Sequence, residues 1–96
     1  MKKNITYIHM TQETTTSSGL LLPLKLISRS LDIDSPINRT IRSGIVQRLE
    51  EKLGEVELIP EEELPMLTML LNKIAPVEPK VVAEVKQIIE KFHPAQ

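Results

Sequence analysis

Cysteine and tryptophan are absent from this chain, and aromatic residues are reduced to Tyr7 and Phe92. Without cysteine there can be no disulfide, no thiolate metal ligand and no cysteine nucleophile. So few rings argue against the stacking platforms that hold single-stranded DNA or RNA. Glycine is scarce as well. Gly19, Gly44 and Gly54 lie far apart, so no glycine-rich phosphate loop can be assembled from them. No run approaches the roughly 20 apolar residues that a membrane-spanning helix needs. The most apolar stretch, GLLLPLKLI at 19–27, is interrupted by Pro23 and Lys25 and lacks a small-residue cleavage site. Lys2 and Lys3 precede only the short stretch Ile5–Met10, broken by Thr6 and His9, which does not make a signal peptide. A cytoplasmic protein is expected.

Aliphatic residues are what the chain has in quantity. Its 96 residues include 13 Leu, 11 Ile and 6 Val, far more than a disordered composition carries. That length suits one small domain whose core is built from branched aliphatics. The net charge of −1 conceals a division. Residues 1–48 hold seven Lys or Arg against three acids, whereas residues 49–96 hold five Lys against ten Glu. Such a split serves either a basic binding face or attraction between the two halves, within one chain or across a dimer.

Prolines and hydroxyls set out the order of elements. TQETTTSS at 11–18 reads as a flexible linker. Before it, ITYIHM alternates weakly, as a short strand over 4–10 or an unstructured tail, and a lone strand needs a partner. Ser18 is placed to cap a helix running to about Leu31, with Pro23 tolerated near its first turn. Ser35 followed by Pro36 is a strong start signal, and Gly54 an expected left-handed stop. Ile59-Pro60 leads into three glutamates favoured by the helix dipole, Pro65 opens a helix ending near Ile74, and Glu78-Pro79 opens a last one. The expected fold is all-α: a small four-helix bundle-like domain over 18–93, preceded by a flexible segment over 1–17.

The apolar faces fit four helices. Val81, Val85, Ile88 and Phe92 form a stripe in the last helix, widened by Val82 and Ile89. PMLTMLLNKI at 65–74 is apolar over most of its circumference, so it belongs at the centre of a bundle or in an interface. Met66, Leu67, Leu70, Leu71 and Ile74 are therefore the candidate partner-binding residues, while Met66 and Met69 also suit core filling. In the helix after Ser35, Ile37, Ile41, Ile45, Leu49 and Leu53 recur every fourth residue. A four-residue step drifts about 40° per repeat on a helix of 3.6 residues per turn, so this stripe winds around its helix. Gly44 lies mid-helix, where it is expected to admit a closely packed neighbour.

Catalytic chemistry finds little to work with. His9 and His93 stand near opposite ends with no motif around either. DIDSPINRTIRS at 32–43 starts like a calcium loop, but Ile37 stands where glycine is needed and Ser43 where a bidentate glutamate belongs. No enzyme activity, cofactor, metal or small-molecule substrate is expected.

Nucleic acid is the rival partner. Asn38, Arg39 and Arg42 cluster near the positive end of a helix, and these residue types suit phosphates and base edges. ITYIHM followed by helices, the second being RSGIVQRLEEKL, loosely resembles the ribbon-helix-helix repressors, dimers whose paired strands enter the major groove. The resemblance covers under a third of the chain. A long polar linker follows the ribbon, Ser35-Pro36 starts its helix early, and no Arg, Lys, Asn or Gln lies between Ile5 and Met10 to reach bases. No family is assigned from it. The favoured reading is a helical protein-interaction module, a regulator or adaptor that binds a partner protein or itself as a homodimer. A small dimeric DNA-binding regulator is the alternative.

Overall fold

The computed structural model describes residues 17–92, and within them the chain is mainly helical, with no strand. Four α-helices follow one another: α1 (Leu21–Ser30), α2 (Pro36–Leu53), α3 (Leu64–Ile74) and α4 (Pro79–Phe92). A single 3-10 turn, Glu61–Glu63, leads into α3. The expected strand at 4–10, residues 11–16 of the linker expected over 11–18, and both histidines lie outside the described residues.

Helix α2 starts as its sequence dictates. The Ser35 hydroxyl accepts from the Asn38 amide at 3.1 Å, satisfying one of the free N–H groups of the first turn, and Pro36 takes the first helical position. Its end differs from expectation. Gly54 is right-handed (φ −71°), and the chain leaves the helix by a tight turn in which the Glu55 amide donates to the Lys52 carbonyl at 2.9 Å. Tightening of the last turn meets the exposed carbonyls here without a left-handed glycine.

Helix α1 also departs in detail. It begins at Leu21, so Pro23 occupies the third position, where no N–H is needed, but Ser18 is not its cap. The Ser18 hydroxyl instead accepts from the Leu20 amide at 3.2 Å and donates to the Glu63 carboxylate. The Ser18 amide also donates to Glu63, at 3.3 Å, so the chain is tied to the turn before α3. Between these contacts Gly19 adopts φ +79°, a left-handed conformation that costs about 1–2 kcal/mol for a residue with a side chain.

The core is aliphatic throughout. Leu20, Leu24 and Ile27 from α1 and its start meet Leu49 and Leu53 of α2, Leu67, Leu70, Leu71 and Ile74 of α3, and Val81, Val82 and Val85 of α4. Val56 and Ile59 cover it from the α2–α3 connection. Helix α1 packs most extensively, against both α2 and α3, while α4 lies against α2 and α3. Ile88, Ile89 and Phe92 extend the α4 stripe as half-buried neighbours of this core. None of the helices is long and apolar enough to cross a membrane among the described residues.

Candidate interaction face

The residues put forward for partner binding are distributed between the core and the surface. Leu67 and Ile74 are 0% exposed, and Leu70 and Leu71 are buried beside them. These four side chains are therefore occupied within the chain. Met66 and Met69 are the large apolar residues of this segment that are exposed, Met69 at 57%, so they are not core filler. Among the buried groups Glu84 Oε1 stands without a hydrogen-bond partner, and no cluster of three or more His, Asp or Glu is placed to hold a metal among the described residues.

The winding stripe of α2 divides in two. Leu49 and Leu53 enter the core, Ile45 and Val46 lie half-buried against it, and Ile41 and Ile37 point away, 51% and 71% exposed. Four steps of about 40° turn the stripe by roughly 160° between Ile37 and Leu53, so one core cannot take both of its ends. Position along the fold adds to this. Leu22 and Leu26 of α1 lie beside Ile45, Arg48 and Lys52, and Ser30, the last residue of α1, lies near Arg42. The first turns of α2 thus run past the end of α1, with the connection 31–35 and, at Arg42, the start of α4 beside them. Ile33, in that connection, is also exposed, at 68%.

A shallow groove adjoins the ridge formed by Ile37 and Ile41. Leu22, Leu26, Ile45, Arg48 and Lys52 line a depression of about 190 Å³ between α1 and α2, mostly apolar, with two cationic heads at its edge. It continues into a second depression formed by Thr40, Ile41, Gly44, Ile45 and Arg48. Among the described residues, nothing outside its own helix's backbone comes within 4 Å of the place where a Gly44 Cβ would stand, so none of them is the close neighbour expected there. Ile33, Leu22 and Leu26 did not figure among the sequence candidates. The drift of the four-residue step was the available signal for the ridge; the pattern of GLLLPLKLI gave none for α1.

Asn38, Arg39 and Arg42 are all engaged inside the molecule. Asn38 Nδ2 donates to the Ile33 carbonyl at 2.7 Å, and Arg39 Nη1 to Asp34 Oδ1 at 2.9 Å, both bracing the connection before α2. Arg42 is nearly enclosed. Its side chain is 12% exposed, and its Nε donates to Glu78 Oε2 at 3.3 Å, joining α2 to the start of α4. Lys73 bonds Asp32 at 3.0 Å, a second ion pair between the two halves of the chain, although only Arg42–Glu78 sets a base of the basic half against an acid of the acidic one. Compared with protein-family models, curated proteins and solved structures, the chain matches none.

Proposed function

We propose that this chain is a non-enzymatic helical protein-interaction module, a four-helix bundle-like domain acting in the cytoplasm as a regulator or adaptor. It works by associating with a partner protein or with itself. One observation carries the reading: Ile37 and Ile41, one turn apart on α2, present exposed apolar surface outside the core, and Ile33 in the preceding connection is exposed as well. Contiguous apolar surface of this kind, edged by polar residues, is characteristic of interaction sites. The grip is thereby assigned to α2 and the neighbouring groove, with Met66 and Met69 as lesser exposed points on α3. Against the DNA-binding alternative stands the burial of Arg42, 12% exposed and paired with Glu78, while Arg39 is engaged by Asp34 in an exposed pair.

The double substitution Ile37→Asp/Ile41→Asp tests the reading. Both positions are exposed, so helix content and melting temperature should hold. Association, followed by sedimentation and by photo-crosslinking from position 41 in cells, should be lost. Association that survives the substitution sinks the proposal. Duplex DNA should bind weakly and without sequence preference, whereas sequence-dependent binding with a steep salt slope would favour a repressor instead.

A further inference from the structure

We infer that the partner on this face is an acidic amphipathic helix of another protein, received between two flanks of cations over the apolar surface that α1 and α2 share. The inference rests on the interaction-module reading and deepens it by stating the partner's chemistry. Leu22 and Leu26, one turn apart on α1, are 66% and 40% exposed. They line the groove toward α2 and also a second depression toward α3, where Lys25, Arg29 and Leu70 stand. The two leucines therefore form a central apolar strip, with Arg48 and Lys52 on one side and Lys25 and Arg29 on the other.

Charge is what names the occupant. No Asp or Glu lines either depression. Lys25, Arg29, Arg48 and Lys52 are all exposed, and none has a carboxylate at ion-pair distance among the described residues. Arg39, Arg42 and Lys73, by contrast, are each matched to an acid. The chain as a whole has a net charge of −1, so its overall field draws no anion and the attraction is confined to this face. The cations come in two helical pairs, Lys25 with Arg29 and Arg48 with Lys52. A four-residue step separates the members of each by about 6 Å along the axis. Carboxylates carried by a partner helix at the same step repeat at that distance.

The apolar lining separates this partner from other anions. A phosphate backbone meets cations but leaves exposed leucines uncovered. A lipid surface takes up apolar side chains that stand out beyond the cations. Here part of the lining is recessed instead: Leu49 is 1% exposed and Ile45 half-buried, both within the groove. A recess of this kind receives a side chain from an amphipathic helix, whose apolar anchors recur at three- and four-residue intervals. The groove continues past Arg48 to Gly44 and Ile41, so the same partner helix covers Ile41, one of the exposed residues on which the interaction reading stands.

A defined peptide titrated into the full chain tests the inference. The probe is a synthetic helix of about 18 residues, with leucines at i, i+4 and i+7 and glutamates flanking them, long enough to hold its own structure. By fluorescence anisotropy it should bind with a Kd of about 0.1 mM or tighter. Binding should weaken as salt rises to about 0.5 M, and the methyl signals of Leu22, Leu26 and Ile45 should shift. A twin peptide with lysine for every glutamate should not bind. Lys25→Glu/Arg48→Glu, at exposed positions away from helix ends, should keep the wild-type circular dichroism. It should bind the acidic peptide about tenfold more weakly or worse, and should gain the lysine twin. Lys80→Glu/Lys86→Glu makes the same change of charge on α4 and should leave binding intact. An acidic peptide that does not bind overturns the inference, and so does binding that the two reversals weaken equally. Vesicles of phosphatidylserine, or duplex DNA, held more tightly than the peptide through Lys25 and Arg48 also overturn it. A cross-link from position 41 in cells that is lost in Ile37→Asp/Ile41→Asp but untouched by Lys25→Glu/Arg48→Glu defeats the acidic partner alone. Absence of any association, with the peptide or in cells, defeats the interaction-module reading with it.

Discussion

In α3, Leu67, Leu70, Leu71 and Ile74 turn inward between α1 and α4, whereas in the first half of α2 Ile37 and Ile41 turn outward to solvent. Both segments are rich in large aliphatics, and composition alone ranks α3 as the stickier. The difference lies in what stands next to them. Helix α3 is 11 residues long and packs against both α1 and α4, so its leucines and Ile74 are absorbed and only Met66 and Met69 of its large apolar side chains are exposed. Helix α2 has 18 residues against the 10 of α1, and its surplus turns run past the end of α1, where Arg42 meets Glu78 but Ile37 and Ile41 stay exposed. The segment with fewer apolar residues is thus the one that offers them outward.

The widest separation between the two segments should come from placing the same charge in each. Leu70→Asp buries a carboxylate without a partner and should cost about 4 kcal/mol or more, enough to unfold so small a domain. Ile41→Asp should leave the denaturation midpoint of dilute protein nearly unchanged. Equal losses for the two would mean that the ridge belongs to the core after all.

Within α2 itself, Leu49→Ala should cost about 2–5 kcal/mol, since the site is closed on all sides, while Ile37→Ala should fall within about 0.5 kcal/mol. Urea melts that keep a constant slope would measure both. A gradual rather than abrupt change along Ile37, Ile41, Ile45 and Leu49 would place the boundary of the core one turn earlier.

The arginines repeat the contrast on a smaller scale. Arg42→Ala removes a half-buried ion pair and should cost about 1–2 kcal/mol, while Arg39→Ala should stay within about 0.5 kcal/mol, as exposed pairs do. A double-mutant cycle between Arg42 and Glu78 that shows no coupling would remove the electrostatic account of the α2–α4 contact. Smallest of all, Gly44→Ala in dilute protein should raise stability by about 0.5–1 kcal/mol, because the helix gains and no atom is met. A loss there would reveal a neighbour at Gly44 within the monomer.

Local chemistry was the readable part of this chain. Ser35-Pro36, Glu78-Pro79 and the proline at 65 each announce a helix start through caps and missing N–H groups, and each start stands where the sequence implies. The valine stripe of α4 was readable for the same reason: its period is set within one element. Side choice was not. The periodicity of Ile37 to Leu53 reveals rotation of the stripe but not which end meets the core, since that depends on where α1 stops. Nor could spacing disclose that Arg42 reaches Glu78 across 36 residues, or that Ser18 forgoes its helix for Glu63. Leu67, Leu70, Leu71 and Ile74 looked like a grip because an apolar face reads alike whether its cover is its own chain or another.

Ser18 holds Glu63 through both its amide and its hydroxyl, joining positions 45 residues apart. An end fastened in this way does not fray residue by residue, as helix starts usually do. The first turn of α1 and the turn before α3 must open together, as one local event with one free energy. Deuterium exchange at the amides of Leu24 and Glu63 should therefore proceed at a shared opening rate. In Ser18→Ala the two rates should separate, with Leu24 exchanging faster while the centre of α3 stays protected. The hydroxyl of one serine would then set how long the two segments stay closed together, a property of timing that no inventory of the core contains.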